Sequence, residues 1–265
     1  MSIFNRFNLA GKRLFITGGS RGLGREMALA CADAGADCVL VGRDTASLEG
    51  AAAEIRTLGR QAFTIASDVS RPADCEAACQ QALAEFGPIH ILINNAGGRR
   101  QNISTEDMPL ETWRELMDLN LTSAFICTKL IGGAMVARAK AGEQAGGRII
   151  NIASINALVA GRKIAGRHYE TSKAALVQFT RATAADWAPY GITVNAILPG
   201  GFMTDANKRW REIHPEVIET FQQQIPMGRY GEPHELGPLA VYLASDASSY
   251  MTGAALVIDG GYTLW

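Results

Sequence analysis

Seven short aliphatic runs, most of them followed by a segment of helix length, restrict the fold of this chain more than any other feature. The runs are Leu14 to Thr17, Cys38 to Val41, Ala62 to Ile65, Ile89 to Ile93, Arg148 to Ala153, Thr193 to Leu198 and Leu256 to Ile258. Several are continuously apolar and do not alternate, the pattern of strands covered by helices on both faces of a parallel sheet. Between them the sequence predicts helices over Leu23 to Ala34, Thr45 to Leu58, Pro72 to Phe86, Trp113 to Val136, Tyr169 to Ala188 and Pro233 to Ala244. Pro72 and Pro233 suit a first helical turn, where the missing N–H has no partner to lose. The expected fold is α/β, one doubly wound domain over residues 1–265 with a seven-stranded parallel sheet and helices on both faces. Ligands of such a sheet bind beyond the carboxyl ends of its strands. Two segments look irregular: Lys140 to Gly147, a surface loop, and residues 200–226, long enough to form a lid over a substrate.

Directly after the first run comes Thr17-Gly18-Gly19-Ser20-Arg21-Gly22-Leu23-Gly24, opening an amphipathic helix. Glycines here permit a tight turn, close backbone approach to a pyrophosphate and close helix-on-strand packing, and the helix N-terminus offers N–H groups. The spacing is GxxxGxG, which differs from the GxGxxG of the commoner Rossmann fingerprint. The second run ends Val41-Gly42-Arg43-Asp44. An acidic residue at the first position of that loop would accept from a ribose 2′-hydroxyl and repel a 2′-phosphate, but the position holds Gly42. Arg43 and Arg21 could converge on a 2′-phosphate, which predicts a preference for NADP(H). Stacking of Arg43 on adenine, with Asp44 on the 2′-hydroxyl, would leave NAD(H) usable.

Tyr169 and Lys173 are four apart in a predicted helix and project from one face. A cation beside a phenol stabilises the phenolate and makes tyrosine a plausible general acid/base. Ser154 follows the fifth run, at the functional edge of the expected sheet. With Asn94-Asn95-Ala96-Gly97 after the fourth run and Tyr169-Glu170-Thr171-Ser172-Lys173, the pattern resembles the short-chain dehydrogenase/reductase family, from Gly11 to Asp259-Gly260-Gly261. The resemblance implies a Rossmann-type domain in which Gly18, Ser20, Arg21, Gly22, Leu23 and Gly24 hold a nicotinamide dinucleotide by its diphosphate. It places Asp68 and Val69 at the adenine, Asn95, Ala96 and Gly97 beside the adenine ribose, and Pro199, Gly200 and Thr204 on the nicotinamide side. Ser154 and Tyr169 would hydrogen-bond the reacting oxygen, Lys173 would also bind the nicotinamide ribose, and Asn120 would anchor a proton-relay water.

The resemblance also locates a substrate pocket, formed here by Gly98-Arg99-Arg100-Gln101, Ile155-Asn156-Ala157, Gly161 to His168 and Gly201-Phe202-Met203. Its positive charge suggests an anionic substrate, bound through Arg99 and Arg100, with Asn156 and His168 suited to hydroxyl groups. A sugar acid fits, and the chain resembles the gluconate 5-dehydrogenase branch of the family. The alternative is a 3-oxoacyl-[acyl-carrier-protein] reductase, whose basic residues would dock an acidic carrier. A cofactor-bound regulatory protein without turnover is the non-enzyme alternative, against which the complete Asn-Ser-Tyr-Lys set argues.

A formal net charge of −1 with 19% charged residues offers no bulk field for nucleic acid. No apolar segment is expected to reach bilayer length, so no membrane is expected and the protein is expected to be cytoplasmic. The cysteines Cys31, Cys38, Cys75, Cys79 and Cys127 lack CxxC spacing; even the Cys75/Cys79 pair is expected to be ordinary thiols, with no metal site. Phe125, Ile126, Leu130, Ile131, Met135 and Val136, with Leu176, Val177 and Phe179, exceed what one sheet face covers, so a homo-oligomer, by resemblance a tetramer, is expected. The terminal Trp265 is expected at a subunit boundary.

Overall fold

Strand residues pointing to opposite faces build two separate cores, which is the physical content of the doubly wound arrangement. The computed structural model describes residues 2–98, 101–143, 146–161 and 165–264. Its strands are β1 (Arg13–Thr17), β2 (Asp37–Gly42), β3 (Ala62–Ala66), β4 (Ile91–Asn94), β5 (Gly147–Ile152), β6 (Ile192–Pro199) and β7 (Ala255–Ile258). They form one sheet in the order β3-β2-β1-β4-β5-β6-β7, and every neighbouring pair is parallel.

Around the sheet lie α1 (Gly22–Asp33), α2 (Thr45–Thr57), α3 (Pro72–Glu85), α4 (Leu110–Lys140), α5 (Arg167–Trp187), α6 (Asp205–Ile213), α7 (Pro215–Gln222) and α8 (Gly237–Ala244). Leu14, Ile16 and Leu40 face α1, α2 and α8, whose Met27, Leu48 and Ala240 are fully buried against them. Phe15, Val39 and Leu92 face the other way, onto Cys79 of α3, Ile131 of α4 and Ala184 of α5. Each such aliphatic or aromatic side chain contributes about 1.5–3 kcal/mol on burial.

The sheet order reverses direction between β1 and β4, so the loops that follow these two strands part and leave a crevice. Into that crevice run the glycine loop after β1 and Asn95-Ala96-Gly97 after β4.

Three expectations need correction. The segment 200–226, expected to be irregular, is largely helical. Thr204 caps α6 by accepting from the Asn207 N–H at 3.4 Å, and Pro215 opens α7. The helix expected from Trp113 begins at Leu110 and runs to Lys140, interrupted by π-helical turns at Asp118–Thr122 and Thr128–Gly132. An 18-residue stretch of it has a mean hydropathy of 1.4, long and apolar enough to cross a membrane, against the expectation that no segment would be; but 56% of that stretch is buried inside the fold. Finally, most of the apolar residues expected to be left over for a subunit contact are consumed within the chain. Ile126, Ile131, Met135, Leu176 and Val177 are buried, and the residue left most exposed is Phe125, which meets Phe179 edge-on at 6.2 Å. Trp265 lies outside the described residues.

Candidate active site

Thr17, the last residue of β1, ties the two loops of the crevice together. Its hydroxyl accepts from the N–H of Asn95 at 3.1 Å and of Ala96 at 3.0 Å. The Asn95 side-chain amide returns the contact, donating to the carbonyls of Thr17 at 3.0 Å and Gly18 at 3.1 Å. This close approach explains the glycines. A Cβ on Gly24 would stand 2.1 Å from the Gly18 carbonyl oxygen, and one on Gly18, whose φ is +65°, would stand 2.8 Å from the Asn95 amide nitrogen.

The crevice opens into a groove of about 1060 Å³ along the carboxyl edge of the sheet. Gly18, Ser20, Arg21, Leu23, Gly24, Arg43, Asp68, Val69, Asn95, Ala96, Gly97, Ser154, Tyr169, Lys173, Pro199 and Gly200 all line it. A cleft of about 610 Å³ extends it past Arg43, Ser67 and Asp68. Gly22 and Thr204 flank the groove, close enough that a Cβ on Gly22 would meet the Thr204 methyl at 3.7 Å.

The residues present fit a dinucleotide. Arg21 precedes α1 without a side-chain cap, which leaves the helix's opening N–H groups to an anion. Gly42 leaves a gap beside Ser20, where a Cβ would lie 3.4 Å from the Ser20 hydroxyl oxygen. Arg43 and Asp68, which follow the neighbouring strands β2 and β3, approach at 3.9 Å. Asp44 instead caps α2, accepting from the Ser47 N–H at 2.7 Å; hydrogen bonds from Ser47 hold its carboxyl below the usual carboxylate range.

At the other end, α5 starts at Arg167 from a left-handed Gly166, φ +88°, and presents Tyr169 and Lys173 to the groove. Lys173 is 3% exposed, and its Nζ donates to the Ile152 carbonyl at 2.8 Å. Burial pushes its ammonium down to about 8. Ser154 begins a short 3₁₀ turn, its Oγ accepting from the Asn156 N–H at 3.1 Å.

Asn120 sits in the first π-helical turn of α4, a distortion common at functional sites. Its amide donates to the carbonyls of Leu116 at 3.1 Å and Gly98 at 3.2 Å, and its Oδ1 accepts from the Gly98 N–H at 2.8 Å. A Cβ on Gly97 would lie 2.7 Å from that Oδ1 and 3.0 Å from Lys173 Nζ, so Asn120, Gly97 and Lys173 meet at one point.

Not every expected substrate residue joins them. Asn156 lies outside the groove lining, its amide donating to the Val159 carbonyl at 3.2 Å. His168 is 1% exposed and walls a separate cavity of about 210 Å³ with Thr105, Met108, Leu110 and Trp113. One residue before Tyr169, it is rotated by about 100° around the helix, which turns it from the groove. Arg167 is paired with Glu170 at 2.9 Å, which reduces the positive charge expected here. Arg99, Arg100, Arg162 and Lys163 lie outside the described residues.

The sequence reading passed over a buried polar chain. Asn94 of β4 donates to Asn151 of β5 at 2.8 Å and to Thr128 of α4 at 3.2 Å, and Asn151 donates to Thr180 of α5 at 2.9 Å. Polar residues inside apolar runs were the available signal. The chain fixes α5, and with it Tyr169 and Lys173, against β5, the strand that leads to Ser154.

A family model described as enoyl-(acyl carrier protein) reductase matches residues 18–263. Galactitol 2-dehydrogenase (L-tagatose-forming) of Cereibacter sphaeroides is 40% identical over 98% of both chains. A short-chain type dehydrogenase/reductase from Mycobacterium marinum shares the fold with a TM-score of 0.90, at 39% identity over 99% of each chain. A structure provisionally named NAD(P)-dependent gluconate 5-dehydrogenase, from Beutenbergia cavernae and with NADP bound at low occupancy, has a TM-score of 0.89 at 34% identity, covering 98% of this chain and 100% of the other. The chain belongs to the short-chain dehydrogenase/reductase family of oxidoreductases.

Proposed function

We propose that this protein interconverts a secondary alcohol and a ketone on a polyhydroxylated substrate, with NADP(H) as its redox partner and sugar acids as the favoured substrate class. The observation that carries this is the convergence of Ser154, Tyr169 and Lys173 on the groove that begins at the glycine loop. Gly18, Ser20, Leu23 and Gly24 would hold the diphosphate, Asp68 and Val69 the adenine, and Pro199, Gly200 and Thr204 the nicotinamide end. Arg21 and Arg43 border the open position at Gly42, while Asp44 is already engaged as a helix cap. This supports NADP(H) over NAD(H).

Bound NADPH would supply hydride to the carbonyl carbon. Tyr169 then gives its phenolic proton to the carbonyl oxygen, Ser154 donates a hydrogen bond to that oxygen, and the Lys173 ammonium favours the phenolate left behind. Oxidation runs the same steps in reverse. Asn120 fixes the backbone of Gly98 beside Lys173 and so holds that wall of the site.

A sugar acid is supported by Arg99 and Arg100 following Gly98 in sequence, and polyols by the similarity to a galactitol dehydrogenase. Residues 200–226 would cover the substrate within the one domain. The Phe125–Phe179 surface would serve a homo-oligomer of tetrameric type, in the cytoplasm.

A panel of 5-ketogluconate, tagatose and acetoacetyl thioesters, each assayed with NADPH and NADH, tests the proposal. Highest kcat/KM on a keto-sugar or keto-sugar acid with NADPH is expected. Highest kcat/KM on the thioester would replace it with the 3-oxoacyl-[acyl-carrier-protein] reductase reading, the activity named for a relative 34% identical over 97% of this chain.

A further inference from the structure

Cys75 and Cys79 are one turn apart on α3, and Cys127 of α4, 48 residues beyond Cys79, packs against both. Its sulfur lies 3.6 Å from Cys75 Sγ and 3.7 Å from Cys79 Sγ, and all three sulfurs lie within 4.8 Å of one another. Each of the three residues is fully buried. We propose that this three-thiol cluster is a binding site for a trivalent metalloid, entering as neutral arsenous acid.

Geometry makes the cluster a ligand set. A centre bonded to sulfur at roughly 2.3 Å, with near-tetrahedral angles, sets its ligands about 3.7 Å apart. Two sides of this triangle already have that length, so three short movements of sulfur close the site. Two buried thiols, as Cys31 and Cys38 provide, cannot make a three-coordinate centre.

Charge selects the occupant. Its contacts with the Cys75 and Cys79 sulfurs, together with burial, hold the Cys127 thiol well above its ordinary range and so in the neutral form. A divalent ion bound by three thiolates would leave a net negative charge in a dry interior, which is costly. Arsenous acid avoids this. In As(OH)₃ + 3 Cys-SH → As(S-Cys)₃ + 3 H₂O, three As–O bonds break and three As–S bonds form. The thiol protons leave in water, arsenic stays trivalent, and no charge is created. Entry requires α3 and α4 to part locally, so binding should be slow and should track such opening.

The reduced full-length protein is incubated with arsenite, passed through gel filtration and analysed for arsenic, with X-ray absorption on the same sample. About one arsenic per chain in an all-sulfur, three-coordinate shell is expected. Cys127→Ala and the near-isosteric Cys127→Ser should each retain below about a tenth of that, whereas Cys31→Ala retains all of it. Circular dichroism establishes that each variant is folded. Three results would each overturn the proposal: no arsenic on the folded wild type, oxygen in its coordination shell, or retention unchanged in both Cys127 variants. Preferential retention of zinc or cadmium in parallel incubations would overturn the choice of a neutral metalloid. None of these readouts depends on catalytic activity.

Discussion

The ammonium of Lys173 lies 6.0 Å from the centroid of the Tyr169 ring, one helical turn away along α5 and on the same face. Proton transfer from a positioned phenol contributes about 10²–10⁴-fold to a rate. Tyr169→Phe keeps the ring and its packing while removing the transferable proton. Turnover should therefore fall by about that factor, with NADPH affinity, measured by fluorescence titration, within about threefold of wild type. A variant retaining most of its activity would remove Tyr169 from the chemistry.

Burial of Lys173 has a consequence for stability in the absence of cofactor. Its ammonium is pushed down to about 8 in the folded chain, from an ordinary value of 10.5. Between these values the unfolded chain binds the proton and the folded chain does not, so this group makes stability rise with pH. Below about 8 the folded state carries the full penalty of the buried charge, and above 10.5 that penalty is gone. The difference is of order 3 kcal/mol. Urea titrations of wild type and Lys173→Met across this pH range isolate it from other titrating groups. The stability of wild type minus that of the variant should increase with pH, and a flat difference would show that the ammonium is not desolvated.

The glycine loop allows a sharper structural test. Gly24→Ala would place a methyl 2.1 Å from the Gly18 carbonyl oxygen and 2.4 Å from the Asn95 amide. Backbone has to move to relieve this, which shifts the loop that would carry the diphosphate. NADPH affinity should fall by about 100-fold, since losing even one or two hydrogen bonds to a charged group costs that much. Gly50→Ala, which meets nothing within 4 Å, is the control and should leave binding unchanged.

How much of this was legible in the sequence follows from what each signal depends on. Strands such as Leu14 to Thr17 were visible because both faces of the sheet are covered, which makes the run continuously apolar. The glycines were visible because each answers a local steric demand. Residues 200–226 were missed as helices although Ala206, Trp210 and Ile213 recur at helical spacing, because α6 is short, rich in charge and buries none of its residues. His168 was placed in the substrate pocket by its proximity to Tyr169 in sequence, yet adjacent helical positions point about 100° apart. Nor could sequence spacing bring Cys127 to Cys75 and Cys79, since that contact depends on how α3 and α4 pack. The Asn94–Asn151–Thr180 chain was hidden for the same reason, each member being an isolated polar residue until the strands are paired.

Cofactor choice turns on Gly42 and Arg43. A side chain at position 42 would start 3.4 Å from the Ser20 hydroxyl oxygen and 3.4 Å from Leu48 Cδ2, pointing into the groove. Gly42→Asp would put a carboxylate where a ribose 2′-substituent is expected, repelling a phosphate and accepting from a hydroxyl. Arg43→Ala would remove a charge-assisted partner of the phosphate, a loss of about ten- to hundredfold in kcat/KM for NADPH. NADH should be little affected by Arg43→Ala and improved by Gly42→Asp, so the double variant should prefer NADH. Raising ionic strength should weaken NADPH use by wild type more than by Arg43→Ala, because the guanidinium is half exposed and its field is screened. Equal losses with both cofactors would mean that Arg43 stacks on adenine and leaves the 2′-position unread.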